Sequence, residues 1–140
     1  MAYHPGMIRL SMVLRVSLTV AMCGAAGMAV AQAEPPVPCA FTLSTPEVTD
    51  VNGTPMVTAT ASTGGCGAGA GPYLNVACVH PLAGDLSNQC TQAHGADAAQ
   101  VFVPYRPGLT YIATGRGCGA WGGQSPAPLC QVLGPYSATL

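Results

Sequence analysis

Short runs in which apolar and polar residues alternate, separated by turn-forming residues, recur along the chain. The clearest run, residues 56–62 (MVTATAS), places Val57, Ala59 and Ala61 on one face of an extended strand and hydroxyl side chains on the other. The pattern predicts strands at residues 40–44, 56–62, 73–79, 100–105, 109–115 and 130–140. Six to seven strands without helical periodicity predict an all-β protein built as an antiparallel β-sandwich.

The N-terminal segment departs from this pattern. It contains Arg9, Arg15, an apolar run over residues 16–30 and small residues around Ala33, which is the arrangement of a secretory signal peptide. An uncleaved membrane anchor is the alternative, because the run approaches the ~18 residues that span a bilayer. Its alanines and glycines make it only weakly apolar, so we favour cleavage and no membrane span afterwards. The predicted organisation is a signal peptide at 1–33, a proline-rich lead-in at 34–38 and a β-sandwich domain at 39–140.

Charge excludes one class of function. Removal of residues 1–33 leaves two arginines, Arg106 and Arg116, against five carboxylates, a formal net charge of −3, and the chain contains no lysine. Binding of nucleic acid requires a basic stripe that displaces counterions from phosphates. Two arginines do not form such a stripe, so no nucleic-acid partner is expected.

The cysteines predict the compartment. Six of them follow residue 33, and an even number in a small exported domain predicts three disulfides and a secreted or cell-envelope protein. The segment from Cys39 to Cys66 has its midpoint at Asn52-Gly53, the strongest two-residue hairpin signal, so a hairpin there brings these two cysteines together. The other four cysteines flank two segments of equal length, which favours the pairs Cys78–Cys90 and Cys118–Cys130.

One stretch resembles a known family. Residues 107–111 (PGLTY) are similar to the turn and tyrosine corner that lead into a core strand of fibronectin type III and related immunoglobulin-like domains. The resemblance implies a disulfide-stabilised, immunoglobulin-like antiparallel β-sandwich in which the Tyr111 hydroxyl bonds to upstream backbone. Tyr105 stands where the family pattern has leucine, and the family's tryptophan in an earlier strand is missing. The composition also resembles that of small secreted actinobacterial proteins.

The stretch 115–130 (GRGCGAWGGQSPAPLC) holds the only tryptophan. Its glycines match the spacing of the dinucleotide-binding fingerprint, but that motif needs a following helix, which Pro126 and Pro128 forbid. We predict instead a disulfide-closed contact loop over residues 118–130. Tryptophan is enriched at binding hot spots, and a disulfide lowers the cost of ordering a loop. The candidate binding residues are Trp121, Arg116 as a polar or cation–π partner beside it, and Gln124. Trp121 could equally cover the end of the sandwich.

Two further chemistries have the necessary residue types. Cys78, His80, Cys90 and His94 could hold zinc, although an oxidising compartment favours a disulfide between the two cysteines, so no metal or other cofactor is expected. A hydrolase could draw on His80, His94, Asp85, Asp97 and Ser87. The sequence has no nucleophile elbow, so we predict that the protein is not an enzyme.

The sequence therefore predicts a monomeric, non-enzymatic binding or structural module that contacts an extracellular protein or a cell-envelope component. A protease-inhibitor-like protein that presents residues 122–128 (GGQSPAP) as a rigid substrate mimic is the alternative. A small secreted hydrolase is a third, minor alternative.

Overall fold

The computed structural model describes residues 37–122 and 128–140. Within these ranges the chain forms strands and no helix, which confirms the all-β prediction. The strands are β1 (Cys39–Leu43), β2 (Glu47–Val51), β3 (Thr54–Cys66), β4 (Ala70–Pro81), β5 (Gln89–His94), β6 (Ala99–Pro104), β7 (Thr110–Trp121) and β8 (Leu129–Thr139). The predicted signal peptide and most of the proline-rich lead-in lie outside the described residues.

The described strands number eight, so the expected six to seven was too low. The two that sequence reasoning missed are β2 and β5, whose residues are all exposed or half-buried. Strand prediction from alternation needs one buried face. Edge strands with little burial give no such signal.

The strands form two antiparallel sheets. In sheet A, β1 and β2 pair with successive parts of one edge of β3, and β6 pairs with the other edge. Sheet B has the order β5-β4-β7-β8. Both sheets contribute to one core, in which Val57, Val101 and Val103 of sheet A meet Val79 and Tyr111 of sheet B.

The hairpin predicted at Asn52-Gly53 joins β2 to β3. Both turn residues have positive φ, 55° and 82°, as a two-residue hairpin of the favoured type requires. The Gly53 N–H donates to Asp50 Oδ1 at 2.7 Å. Farther along β3, the pairing with β1 places Cys39 opposite Cys66, as the position of the turn predicted.

The three disulfides are Cys39–Cys66, Cys78–Cys90 and Cys118–Cys130. Each joins directly opposed residues of neighbouring antiparallel strands, with Cα atoms 4.0 Å apart. Each of these disulfides therefore braces one sheet internally. Burial of the shared core holds the two sheets together.

Tyr111 is fully buried, and its hydroxyl bonds to upstream backbone as expected. The hydroxyl donates to the Pro104 carbonyl oxygen at 3.0 Å and accepts from the Arg106 N–H at 2.8 Å. A buried tyrosine needs such partners, because an unpaired hydroxyl would lose its hydration without compensation. Tyr111 thus fixes the chain between β6 and β7 to the core.

Candidate functional site

The glycine-rich stretch is part of strand β7, which ends at Trp121 rather than at residue 115 as predicted. Alternate glycines of β7 face sheet A, where β1 lies close. A Cβ at Gly117 would overlap the Phe41 ring, and one at Gly119 would come within 2.9 Å of Cys39 Sγ. The glycines therefore make room for β1 side chains. The resemblance to a nucleotide fingerprint comes from strand packing.

Trp121 is half-buried at the end of β7, opposite Ala70 of β4. Its ring lies over Gly67. If Gly67 carried a Cβ, that atom would be only 3.1 Å from the ring atom Cη2. The Gly67 N–H donates to the Pro38 carbonyl oxygen at 2.9 Å, and the Gly122 N–H donates to the Gly69 carbonyl oxygen at 2.6 Å. Trp121 thus covers one end of the domain and keeps only part of its ring exposed.

Arg116 does not lie beside Trp121, and the expected cation–π pair is wrong. The two residues are five positions apart on one strand, a distance of about 16 Å. Because side chains alternate along a strand, they point to opposite faces of sheet B. The predicted loop over residues 118–130 is also shorter than expected, since β7 runs to Trp121 and β8 begins at Leu129. Gln124 lies outside the described residues.

The outer face of sheet B, the side turned away from sheet A, carries Arg116. The strand register sets Arg116 between Val76 of β4 and Val132 of β8. Val132 is 80% exposed, the highest value among the large apolar side chains of the described residues. The Cys118–Cys130 disulfide forms the next row across these strands. We call Val76, Arg116, Val132 and this disulfide the arginine face.

The two arginines of the described residues have different surroundings. Arg106 pairs with Asp85 at 2.7 Å, whereas Arg116 has no carboxylate partner within residues 37–122 and 128–140. The hydrogen bond from the Arg106 side chain lowers the pKa of Asp85, and the same bond raises the pKa of Arg106. Sequence reasoning missed this ion pair, because it joins two loops that only the fold brings together.

An exposed aromatic pair joins strands β4 and β5. The pairing of β4 with β7 shifts register between Pro72 and Leu74, and the extra residue, Tyr73, is 52% exposed. Its ring packs edge-on against His94 of β5, with centroids 6.3 Å apart. Bulges of this kind re-aim side chains and occur near functional sites.

The zinc alternative is wrong, because Cys78 and Cys90 share a disulfide and thus provide no thiolate. His80 bonds to the Thr114 hydroxyl at 2.9 Å, while His94 packs on Tyr73. Within the described ranges no three His, Cys, Asp or Glu side chains are placed to hold a metal ion.

The residue types for a hydrolase are also dispersed. Asp85 pairs with Arg106, and the Ser87 hydroxyl accepts from Gln89 at 2.8 Å. Asp97 uses its backbone oxygen to accept from the buried Asn75 amide at 2.9 Å. These bonds do not join Ser87 to a histidine or either aspartate to one, and the hydroxyl that His80 contacts, that of Thr114, was not among the predicted residues. Most of the segment proposed as a protease mimic lies outside the described residues.

Comparison of the chain with protein-family models, curated proteins and solved structures found no match. Residues 37–122 and 128–140 contain no candidate for a membrane-spanning helix.

Proposed function

We propose that this protein is an exported, non-enzymatic binding module with an immunoglobulin-like β-sandwich fold, and that it contacts a protein partner through the arginine face. The partner belongs to the extracellular space or the cell envelope. Three disulfides fit an oxidising compartment, and the sequence of residues 1–33 fits a signal peptide.

The strand order supports the immunoglobulin-like part of this proposal. One sheet is built around β3 and the other has the order β5-β4-β7-β8, so each sheet takes strands from both halves of the domain, as in Greek-key sandwiches. The Tyr111 hydroxyl makes the backbone bonds of a tyrosine corner at the start of β7. The disulfides differ from those of antibody domains, since the three described here lie within sheets.

The observation that carries the binding proposal is the position of Arg116. It is exposed at the centre of a sheet face, lacks a carboxylate partner among the described residues, and stands between two valines, one of them almost fully exposed. Arginine is enriched in interfaces and at their hot spots, where surrounding apolar groups exclude water. Across residues 37–122 and 128–140, the Arg116 side chain takes no part in an ion pair that would hold the fold together.

The test compares two charge reversals that change the net charge equally. Arg116→Glu and Arg106→Glu are made in the mature chain, and saturable binding to isolated cell-envelope material and to concentrated culture-supernatant proteins is measured. We expect Arg116→Glu to weaken binding at least tenfold, because it replaces the positive charge in the contact with a negative one. We expect Arg106→Glu to bind as the wild type does. Thermal unfolding checks that both variants are folded. Equal losses in both variants, or none in Arg116→Glu, would contradict the proposal.

A further inference from the structure

The edges of the two sheets differ in how well they are protected. In sheet A, β1 and β2 have five residues each, and β2 carries Glu47 and Asp50, while β6 has six residues and ends in Pro104. In sheet B, β5 also has six residues. Strand β8 has 11 residues, none of them charged. Natural proteins protect exposed edges with charges, prolines or short strands. Before its Gly134-Pro135 step, β8 has none of these devices.

The register shows which backbone groups of β8 face away from β7. Directly opposed Cα atoms are about 4.5 Å apart in non-hydrogen-bonded pairs and about 5.5 Å apart in hydrogen-bonded pairs. Cys118 and Cys130 are 4.0 Å apart, so they form a non-hydrogen-bonded pair. The two kinds alternate, so Arg116 and Val132, two positions along, are another such pair. The N–H and C=O of Cys130 and Val132 therefore point to the edge of β8 with which no described strand pairs.

Exposed side chains mark the same part of β8. Leu129 and Val132 are both more than half exposed, and Arg116 lies one strand away with no carboxylate partner among the described residues. The outward positions next to Arg116 on its own strand are Thr114 and Cys118, and those across it are valines, so the arginine face has no acidic group of its own. Its charge is complementary to a carboxylate brought by a partner.

We propose that the β8 edge from Leu129 to Leu133 accepts an extended segment of a partner protein as a fifth strand of sheet B, and that a carboxylate of this segment pairs with Arg116. This inference rests on the proposed function and adds the chemistry of the partner. The partner's segment is an extended strand whose side chains on the outer face of sheet B are apolar and acidic. An added strand would lie roughly 10 Å from β7, a gap that an arginine and a glutamate side chain span together. Gly134-Pro135 limits the added strand, because Pro135 has no N–H to donate.

Strand addition predicts that backbone and side chains contribute differently to binding. Main-chain hydrogen bonds from Cys130 and Val132 supply affinity, and side chains on alternate positions supply specificity. The valines and the disulfide shield the ion pair partly from water, which strengthens a charge-assisted hydrogen bond.

The test uses a short synthetic peptide in which threonine alternates with valine and with one central glutamate, and a matched peptide with glutamine instead. Binding is followed by NMR titration, and amide hydrogen exchange of Val132 is measured in both states. We expect the glutamate peptide to bind roughly fivefold more tightly than the glutamine peptide, and to slow exchange at Cys130 and Val132. In Arg116→Gln this preference is expected to disappear.

Val132→Pro tests the backbone part of the proposal. The substitution removes an N–H that points away from β7, so the ladder to β7 is retained, and we expect the affinity for either peptide to fall at least tenfold. Gln92→Pro is the matched control, since Gln92 holds the equivalent position on the opposite edge, two residues from the Cys78–Cys90 pair. If Val132→Pro does not fold, Val132→Lys replaces it as a charged edge residue.

Three outcomes of the peptide experiments would overturn the strand-addition proposal. These are equal binding of both peptides to wild type, unchanged exchange at Val132 under saturation, and equal losses in Val132→Pro and Gln92→Pro. Sedimentation equilibrium that shows Arg116-dependent dimers would assign the edge to a second copy of the chain and also overturn it. Loss of envelope binding in Arg116→Glu without peptide binding would preserve the proposed function and remove only this mode of contact.

Discussion

The two faces of strand β7 differ in how closely the rest of the molecule packs against them. On the inner face, Phe41 and Cys39 of β1 occupy the space where Gly117 and Gly119 would carry side chains. At Gly115 the obstacle is the Val76 backbone oxygen of β4, 2.7 Å from an added Cβ. On the outer face, Arg116 has a long, exposed side chain that none of the eight described strands covers.

This contrast separates two constraints on one sequence. The inner residues are determined by packing, because a Cβ at any of the three glycines would lie less than 3.0 Å from a neighbouring atom. The identity of Arg116 is determined by nothing within the described domain. Substitutions on the inner face should therefore change stability, and a substitution of Arg116 should change binding.

The largest effect is expected for Gly117→Val. The new side chain would collide with the Phe41 ring, and overpacking of this severity costs about 3 kcal/mol or more, which is a large part of a small domain's stability. Urea unfolding measures the loss. Gly71→Ala is the control, since an added Cβ there meets nothing within 4 Å. A loss below about 1 kcal/mol in Gly117→Val would mean that β1 does not pack on β7 as described.

Removal of the Cys118–Cys130 disulfide should have the next largest effect. The double variant Cys118→Ser/Cys130→Ser opens a loop with a sequence separation of 12, so we expect a loss of about 3 kcal/mol from chain entropy. Cys78→Ser/Cys90→Ser has the same separation and should lose a similar amount. Denaturant midpoints compare the two. A much smaller loss for the β7–β8 disulfide would show that its strands are held by other contacts.

Tyr111→Phe should have a smaller effect on the inner face. The ring stays in the core, but the Pro104 carbonyl and the Arg106 N–H lose their partner, at a cost of about 1–2 kcal/mol. Tyr136→Phe, at an exposed position of β8, provides the control and should leave thermal stability unchanged. Equal effects in the two variants would argue against a structural role for the Tyr111 hydroxyl.

These expectations also show which features sequence reasoning could reach. The Asn52-Gly53 hairpin depends on local chemistry, so two neighbouring residues were enough to predict it. The Tyr111 bonds were implied by the resemblance of residues 107–111 to a tyrosine corner. The extension of β7 was missed because its glycines were interpreted as a loop. Their alternation at 115, 117 and 119 has the period of a strand, and that signal would have found it. The Asp85–Arg106 pair depends on how two distant loops meet, which local patterns do not encode.

The smallest expected effect is a difference between the two arginines in how the stability of the fold depends on pH. Because Arg106 lowers the pKa of Asp85 from its ordinary 3.8, their pair stabilises the fold above that value, and the contribution is lost as pH falls through the lower folded pKa. Arg106→Gln should remove this acid-sensitive part of stability. Arg116→Gln should keep it, since Arg116 has no such partner among the described residues. Unfolding midpoints measured between about pH 2 and 6 compare the variants. If Arg116→Gln reduced the loss of stability at low pH as much as Arg106→Gln does, Arg116 would contribute to the stability of the fold. The distinction between a stabilising inner face and a binding outer face of β7 would then be wrong.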